Sequence, residues 1–128
     1  VHPAGMGSYN AVKAAVVAFS ETCAHELAEY GIGVSVVCPS YFRTPLIDNM
    51  QGSDVAVGTV IGALVANSPT SADDIAAAVL DGIANGDELI LPDEAARAAY
   101  GLKVADRDGY NQVMRHQAAR LNAMGSAE

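Results

Sequence analysis

The chain has 128 residues and a mass of 13.1 kDa, with 51% hydrophobic and 17% charged residues, which is typical of one globular domain and excludes a disordered chain. Its 15 acidic and 7 basic residues give a net charge of -8, so nucleic acid and anionic membrane surfaces are not expected partners. The longest nearly uninterrupted apolar run, at 55–66, has 12 residues. A membrane-spanning helix needs about 20 residues, so this run is too short to cross a membrane.

Cysteine usage favours a reducing compartment. Cys23 and Cys38 have no metal-type spacing, and two cysteines are too few for a secreted disulfide scaffold. We therefore expect free, buried thiols in a soluble cytoplasmic protein. No metal site is expected either, because Glu29 occupies the place of the second histidine in the motif that His25 and Glu26 begin. The chain opens on Val1 with no leader or cleavage signal, so we also expect a further segment upstream.

The first predicted element is a helix from Ser8 to about Tyr30, because Ser8 can cap it, Gly31 can end it and no proline intervenes. Its first half is apolar on nearly every side, so we expect a sheet, and in an oligomer a second subunit, to cover it. The β-branched run at 32–39 then predicts a short strand buried on both faces and ended by Pro39.

The remaining elements alternate in the way that an α/β sheet requires. Residues 55–66 form either a helix or part of a lid. Ser71 and Asp74 form a capping box that starts a helix running to about Asn85, where Gly86 ends it. Residues 87–92 predict a second short strand ended by a proline. Apolar residues at three- and four-residue steps from Tyr110 to Met124 predict a final amphipathic helix.

Tyr9 and Lys13 stand out chemically. They are four residues apart on a predicted helix, so their side chains project from the same face. A nearby positive charge favours the phenolate form of a tyrosine, which allows such a pair to act as a general acid or base. An aromatic residue at the start of a helix and a solvated lysine without a catalytic role would show the same spacing. The catalytic and the purely structural interpretation therefore both stay open at this point. The apolar neighbours of Lys13 favour a specific role, because burying an unpaired ammonium is costly.

Residues 8–46, SYNAVKAAVVAFSETCAHELAEYGIGVSVVCPSYFRTPL, resemble the C-terminal half of the short-chain dehydrogenase/reductase family. The shared features are Tyr-x-x-x-Lys, a helix that closes with HELAEYGI, a buried strand and a proline-led loop reaching a threonine. The similarity extends over residues 1–92. It implies a Rossmann-type doubly wound parallel sheet, of which 1–92 form only the C-terminal part, followed by a helical C-terminal extension at 93–128.

The resemblance also implies a function: hydride transfer between a nicotinamide cofactor, NAD or NADP, and a carbonyl or alcohol substrate. Tyr9 is then the catalytic acid/base. Lys13 favours its phenolate form and hydrogen-bonds the nicotinamide ribose. In the loop, Pro39 lies beside the nicotinamide and Thr44 near its carboxamide or the phosphates, while Ser40 stands where glycine is commoner in the family.

Residues 46–66 occupy the place of the family's substrate-binding loop. Leu46, Ile47 and Met50 suggest an apolar wall and a hydrophobic substrate, although ordinary packing explains them at least as well. The family's glycine-rich cofactor loop, its selector of NAD or NADP, its asparagine and its catalytic serine are all expected upstream of Val1. The helix that carries Tyr9 also resembles the family's subunit interface, which implies a homodimer or homotetramer.

A second interpretation stays open beside the enzyme. Taken literally, the chain is a truncated, catalytically incompetent fragment or an assembly module that lacks the nucleotide-binding half. Missing strands would then leave an open sheet edge and exposed apolar helix faces, which favour pairing with another chain.

Overall fold

The computed structural model of the chain describes residues 3–45 and 55–125. Within these ranges the elements are α1 (Gly7–Leu27), a 3-10 turn (Ala28–Tyr30), β1 (Val36–Val37), α2 (Val55–Ala66), α3 (Ala72–Asn85), β2 (Leu89–Ile90), α4 (Glu94–Ala105) and α5 (Arg107–Gly125). The described part is mostly helical and holds one two-stranded parallel sheet. The expected α/β character is confirmed as a partial parallel sheet with flanking helices, and these residues do not form a complete doubly wound sheet.

The start of α1 differs from the prediction, whereas its end agrees with it. Met6 is the N-cap and makes no side-chain cap hydrogen bond, so the capping role expected of Ser8 is wrong. The helix begins earlier because Gly5, at φ 78°, turns the chain just before it. The side-chain amide of Asn10 also donates to the Pro3 carbonyl at 2.8 Å. At the other end the 3-10 turn stops at Gly31, whose φ of 69° is the left-handed conformation expected of a terminating glycine.

The two strands lie where the apolar runs at 32–39 and 87–92 predict them, but each has only two ladder residues. Val36 pairs with Leu89 and Val37 with Ile90 in parallel register. The Cys38 N–H donates to the Ile90 carbonyl at 2.9 Å and extends the pairing by one bond. The apolar runs are longer than the ladder because burial sets the length of an apolar run, whereas hydrogen bonding to the partner sets the length of a strand.

Helix α3 packs against β2 and has both predicted ends. Ser71 is its N-cap and forms a reciprocal capping box with Asp74, while Gly86 ends it at φ 77°. Gly82 allows close contact with the sheet, because a Cβ built there would lie 2.8 Å from two carbon atoms of Ile90. Ile90 is only 4% exposed and Gly82 is buried, so both elements contribute a buried residue to the α3–β2 contact.

Helices α2, α4 and α5 pack together. Residues 55–66, expected as a helix or part of a lid, form α2, and α5 contacts both α2 and α4. Tyr110, at the start of the predicted amphipathic helix, is 4% exposed. Helix α4 lies within the helical extension expected at 93–128, although its many alanines give too little apolar periodicity to predict its bounds. None of the described helices combines the length and the apolar character that crossing a membrane requires.

The apolar first half of α1 is open to solvent, contrary to the expectation that it would be covered on more than one side. Val12, Val16 and Phe19 are 63%, 48% and 69% exposed. The helix contacts the sheet through β1, and its buried residue is Ala24, in the second half. The described residues therefore supply no cover for this face.

We predict that Gly82→Ala destabilises the fold, although alanine is the better helix former. The new methyl group would lie 2.8 Å from the Cδ1 and Cγ1 atoms of buried Ile90 and would push α3 away from β2. The expected loss is about 1–3 kcal/mol in the free energy of unfolding, measured by urea denaturation. Gly101→Ala in α4 is the matched control, because nothing lies within 4 Å of its added Cβ. That change should stabilise by about 0.5–1 kcal/mol, and an equal gain at both sites would contradict the close contact.

We predict that Ser71→Ala costs about 1 kcal/mol of stability near neutral pH and less in acid. The Ser71 hydroxyl and backbone N–H donate to the Asp74 carboxylate at 2.6 and 2.8 Å, and these hydrogen bonds lower the pKa of Asp74. A lowered pKa stabilises the fold above the ordinary carboxyl value of about 3.9, and the stabilisation disappears as the pH falls through the folded value.

Urea denaturation across this pH range tests the capping box. The difference between wild type and Ser71→Ala should shrink as the pH falls below about 4. The loss caused by Gly82→Ala involves no titratable group and should stay constant. A Ser71→Ala deficit that is independent of pH would show that the carboxylate contributes nothing.

Candidate functional site

The candidate site lies at the carboxyl ends of the two strands. The loop 39–45 follows β1, and Pro92 and Asp93 follow β2 before α4 begins. Because the strands are parallel, both connections leave from the same edge of the sheet, which is where open α/β sheets bind ligands. The Ser40 N–H donates to Asp93 Oδ2 at 2.8 Å and joins the two connections directly.

Tyr9 and Lys13 lie together in the first two turns of α1. The Lys13 Nζ atom is 5.5 Å from the centroid of the Tyr9 ring, a cation–π arrangement that holds the ammonium beside the phenol. Tyr9 is 52% exposed, so its hydroxyl can be reached by a small molecule. The four-residue spacing therefore gives the expected proximity, while the catalytic roles of the pair stay predictions.

Tyr41 brings the loop after β1 close to Tyr9. Burial raises the pKa of the Tyr41 phenol above its ordinary value, and repulsion from a charged Tyr9 adds to the rise. The Tyr41 hydroxyl therefore remains protonated at neutral pH and can donate a hydrogen bond. Sequence reasoning missed this residue, because a single aromatic in a loop gives no periodic signal.

The far end of the loop is held by the segment before α3. The Arg43 N–H donates to the Thr70 carbonyl at 3.0 Å, and its guanidinium donates to the carbonyl of Ser68. Thr44 follows directly and is half-buried, whereas Pro39, at the near end, is exposed. The residues expected to hold a nicotinamide thus lie on one loop that is attached at both ends.

Asp93 is a second residue that the sequence analysis missed. It is 6% exposed and caps α4, since its Oδ1 accepts from the Ala96 N–H at 2.8 Å. A signal was available, because an aspartate after a proline-ended strand and before a run of helix-forming residues is typical of an N-cap. Its contact with Ser40 spans 53 positions of the chain and has no sequence signal.

Cys38 follows β1 and lies near the same edge of the sheet. Both Cys38 and Cys23 are free, as expected, and are half-buried. Burial raises the pKa of the Cys38 thiol, so it stays protonated and is a weak nucleophile at neutral pH.

The predicted apolar wall of the substrate site lies outside the described residues, because Leu46, Ile47 and Met50 all fall in the gap between 45 and 55. Their assignment stays a prediction. Among the residues that the structure does describe, no cluster of three or more His, Cys, Asp or Glu side chains is placed to hold a metal ion.

The donor groups at this edge fit one end of a nicotinamide cofactor. A phenol, an ammonium and a threonine hydroxyl suit ribose hydroxyls and a carboxamide, and the exposed Pro39 offers a flat apolar surface. The described residues form no binding site for the diphosphate of that cofactor. The connection from β2 to α4 consists of Leu91, Pro92 and Asp93 and contains no glycine, so it is not the glycine-rich strand-to-helix turn that holds a diphosphate.

Comparison with known proteins identifies the family. Residues 1–54 match the family model described as short chain dehydrogenase. That range includes Tyr9, Lys13 and the whole loop after β1. The chain belongs to the short-chain dehydrogenase/reductase family.

Relatives extend the similarity beyond the family match. The chain is 30% identical over 118 residues to a dehydrogenase/reductase SDR family protein 7-like of Anopheles gambiae, covering 91% of this chain and 37% of that protein. It is 35% identical over 113 residues to momilactone A synthase of Oryza sativa subsp. japonica, covering 83% of this chain and 40% of that protein. An NADP-dependent (R)-specific alcohol dehydrogenase of Lentilactobacillus kefiri is 39% identical over 51 residues, covering 38% of this chain and 20% of that protein.

The chain thus spans 37% and 40% of the length of the first two relatives. No solved structure matches it.

Proposed function

We propose that the chain supplies the catalytic helix and the nicotinamide-side loop of an NAD(P)-dependent short-chain oxidoreductase. The observation that carries this proposal is the Lys13 ammonium 5.5 Å from the Tyr9 ring centroid, on the helix that precedes β1 and the loop from Pro39 to Thr44. The names of the relatives support it, because they include an NADP-dependent alcohol dehydrogenase and several reductases or oxidoreductases.

In this proposal the cofactor supplies or accepts the hydride. The Tyr9 phenol gives a proton to the carbonyl oxygen of the substrate during reduction and takes one from the alcohol during oxidation. Lys13 favours the phenolate that remains after proton transfer and donates to the nicotinamide ribose. Pro39 and Thr44 hold the nicotinamide ring and its carboxamide.

The second candidate is an assembly module that does not bind nucleotide. It is favoured by the open apolar face of α1, where Val12, Val16 and Phe19 are each at least 48% exposed. An apolar face of this kind marks an interaction surface more often than a solvated one. It is also compatible with the homodimer or homotetramer expected for an enzyme, so self-association alone does not decide between the two candidates.

A cofactor titration separates the two candidates. The longest form of the protein that folds is titrated with NADH and NADPH, following nicotinamide fluorescence, and we expect saturable binding, with the described residues contributing the nicotinamide side of the site. Lys13→Ala should weaken it about tenfold, because a charged hydrogen bond to the ribose is lost. The chain contains one other lysine, Lys103 on α4, so Lys103→Ala is the matched control and should bind as wild type does.

The opposite outcomes of the titration are equally clear. Absence of binding by the wild-type chain, together with self-association in light scattering of the same samples, would favour the assembly module. Equal weakening by both lysine substitutions would indicate a general electrostatic effect and would contradict the role of Lys13.

We predict that Tyr9→Phe lowers turnover about 10²- to 10⁴-fold while cofactor affinity stays nearly unchanged. The substitution removes the proton donor but keeps the ring that Lys13 contacts. Turnover is followed as NADPH oxidation with acetophenone, a hydrophobic ketone, in the longest form of the protein that is active. Tyr30→Phe is the control, because Tyr30 lies beyond the far end of α1 and is 69% exposed. Retained turnover in Tyr9→Phe would rule out its acid/base role.

A further inference from the structure

Asp93 is a buried carboxylate that makes two separate contacts. It is 6% exposed, and its Oδ1 atom accepts from the Ala96 N–H at 2.8 Å, which caps α4. Its Oδ2 atom accepts from the Ser40 N–H, also at 2.8 Å. An ordinary helix cap needs only the first of these hydrogen bonds. The second joins α4 to the loop after β1, on the other strand of the sheet.

The contact occurs at the near end of that loop. Pro39 has no N–H, so Ser40 carries the first backbone donor after the ladder bond of Cys38. At the far end the loop is held by the hydrogen bond from the Arg43 N–H to the Thr70 carbonyl. Between these two attachments, at Ser40 and Arg43, the loop contains Tyr41, the residue that approaches Tyr9.

We propose that Asp93 is a positioning residue, which fixes the start of the loop 39–44 against the N-terminus of α4 and so sets where Pro39 and Tyr41 lie relative to Tyr9. The proposal rests on the proposed function for its catalytic meaning, because Pro39 and Thr44 are assigned there to the nicotinamide. Asp93 itself contacts neither a substrate nor the reacting atoms.

The two hydrogen bonds that Asp93 accepts, one at each carboxylate oxygen, explain why this position carries a carboxylate. Serine and asparagine are also good N-caps, but each offers only one acceptor oxygen at the required place. With either residue a single oxygen would have to accept from both Ala96 and Ser40, whereas the two carboxylate oxygens of Asp93 accept from them separately. Replacing Asp93 by serine therefore keeps the cap and removes the contact with the loop, since the shorter hydroxyl reaches the N–H groups of its own helix.

The chain contains a matched control for this substitution. Asp106 precedes α5, and its Oδ1 atom accepts from the Gly109 N–H at 2.9 Å, which is a capping contact within the same turn. Asp106 is exposed and lies at the junction of α4 and α5. Asp106→Ser thus repeats the same chemical change at a helix start without the second attachment.

Amide hydrogen exchange, followed residue by residue by NMR, tests the proposal. In Asp93→Ser we expect the Ser40 amide to exchange about tenfold faster, because its charged acceptor is lost. The amides of Ala96 and Arg43 should keep their wild-type rates, as reporters of the cap and of the far end of the loop. In Asp106→Ser the Ser40 amide should be unaffected. The same samples are titrated with NADPH, and Asp93→Ser should bind it several-fold more weakly than Asp106→Ser.

Each opposite outcome overturns a defined statement. An unchanged Ser40 amide would show that the loop does not depend on Asp93. Equal acceleration of the Ser40, Ala96 and Arg43 amides would reduce Asp93 to a general structural role. Faster exchange at Ser40 with unchanged NADPH affinity would remove its link to the cofactor. Absence of NADPH binding by the wild-type chain would contradict the proposed function alone, because the exchange rates still decide whether Asp93 holds the loop.

Discussion

The parallel pairing of β1 with β2 is the constraint on which the rest of the structure depends. The ladder is short, with Val36 beside Leu89 and Val37 beside Ile90, yet it joins parts of the chain that are more than 50 residues apart. Helix α1 packs on one strand and α3 on the other. Because the strands are parallel, the connections that follow them emerge at one edge, and every candidate site residue outside α1 lies on those connections or in the segment 46–54 beyond them.

The features that could be predicted best from the sequence are those that depend on neighbouring residues. The end of α1 at Gly31 and both ends of α3 are local: a left-handed glycine or a capping box works through backbone groups within four positions. The proximity of Tyr9 and Lys13 is local too, because helical geometry alone places them on one face. Local rules also caused the one capping error. Ser8 is a good N-cap residue, but the turn at Gly5 and the hydrogen bond from Asn10 to Pro3 start the helix before it.

The missed features depend on distant parts of the chain. The contacts of Ser40 with Asp93 and of Arg43 with Thr70 join segments that only the folded sheet brings together. No spacing rule connects them, so neither Asp93 nor Tyr41 was singled out. The length of the strands belongs to the same category, because the apolar run at 32–39 indicates burial while the number of paired residues depends on the partner strand.

The open face of α1 and the candidate catalytic pair are connected by helix geometry. Val12 and Val16 are three and seven residues beyond Tyr9, so they lie beside it on the same side of the helix, with Lys13 at the adjoining edge. Any protein surface that covers these valines would also border the phenol and the ammonium. Removing water from that border strengthens the attraction between a positive charge and a phenolate, because the interaction grows as the local dielectric falls. In the proposed mechanism, a surface that covered the apolar face would therefore also strengthen the effect of Lys13 on Tyr9, because the valines and the pair lie on the same side of α1.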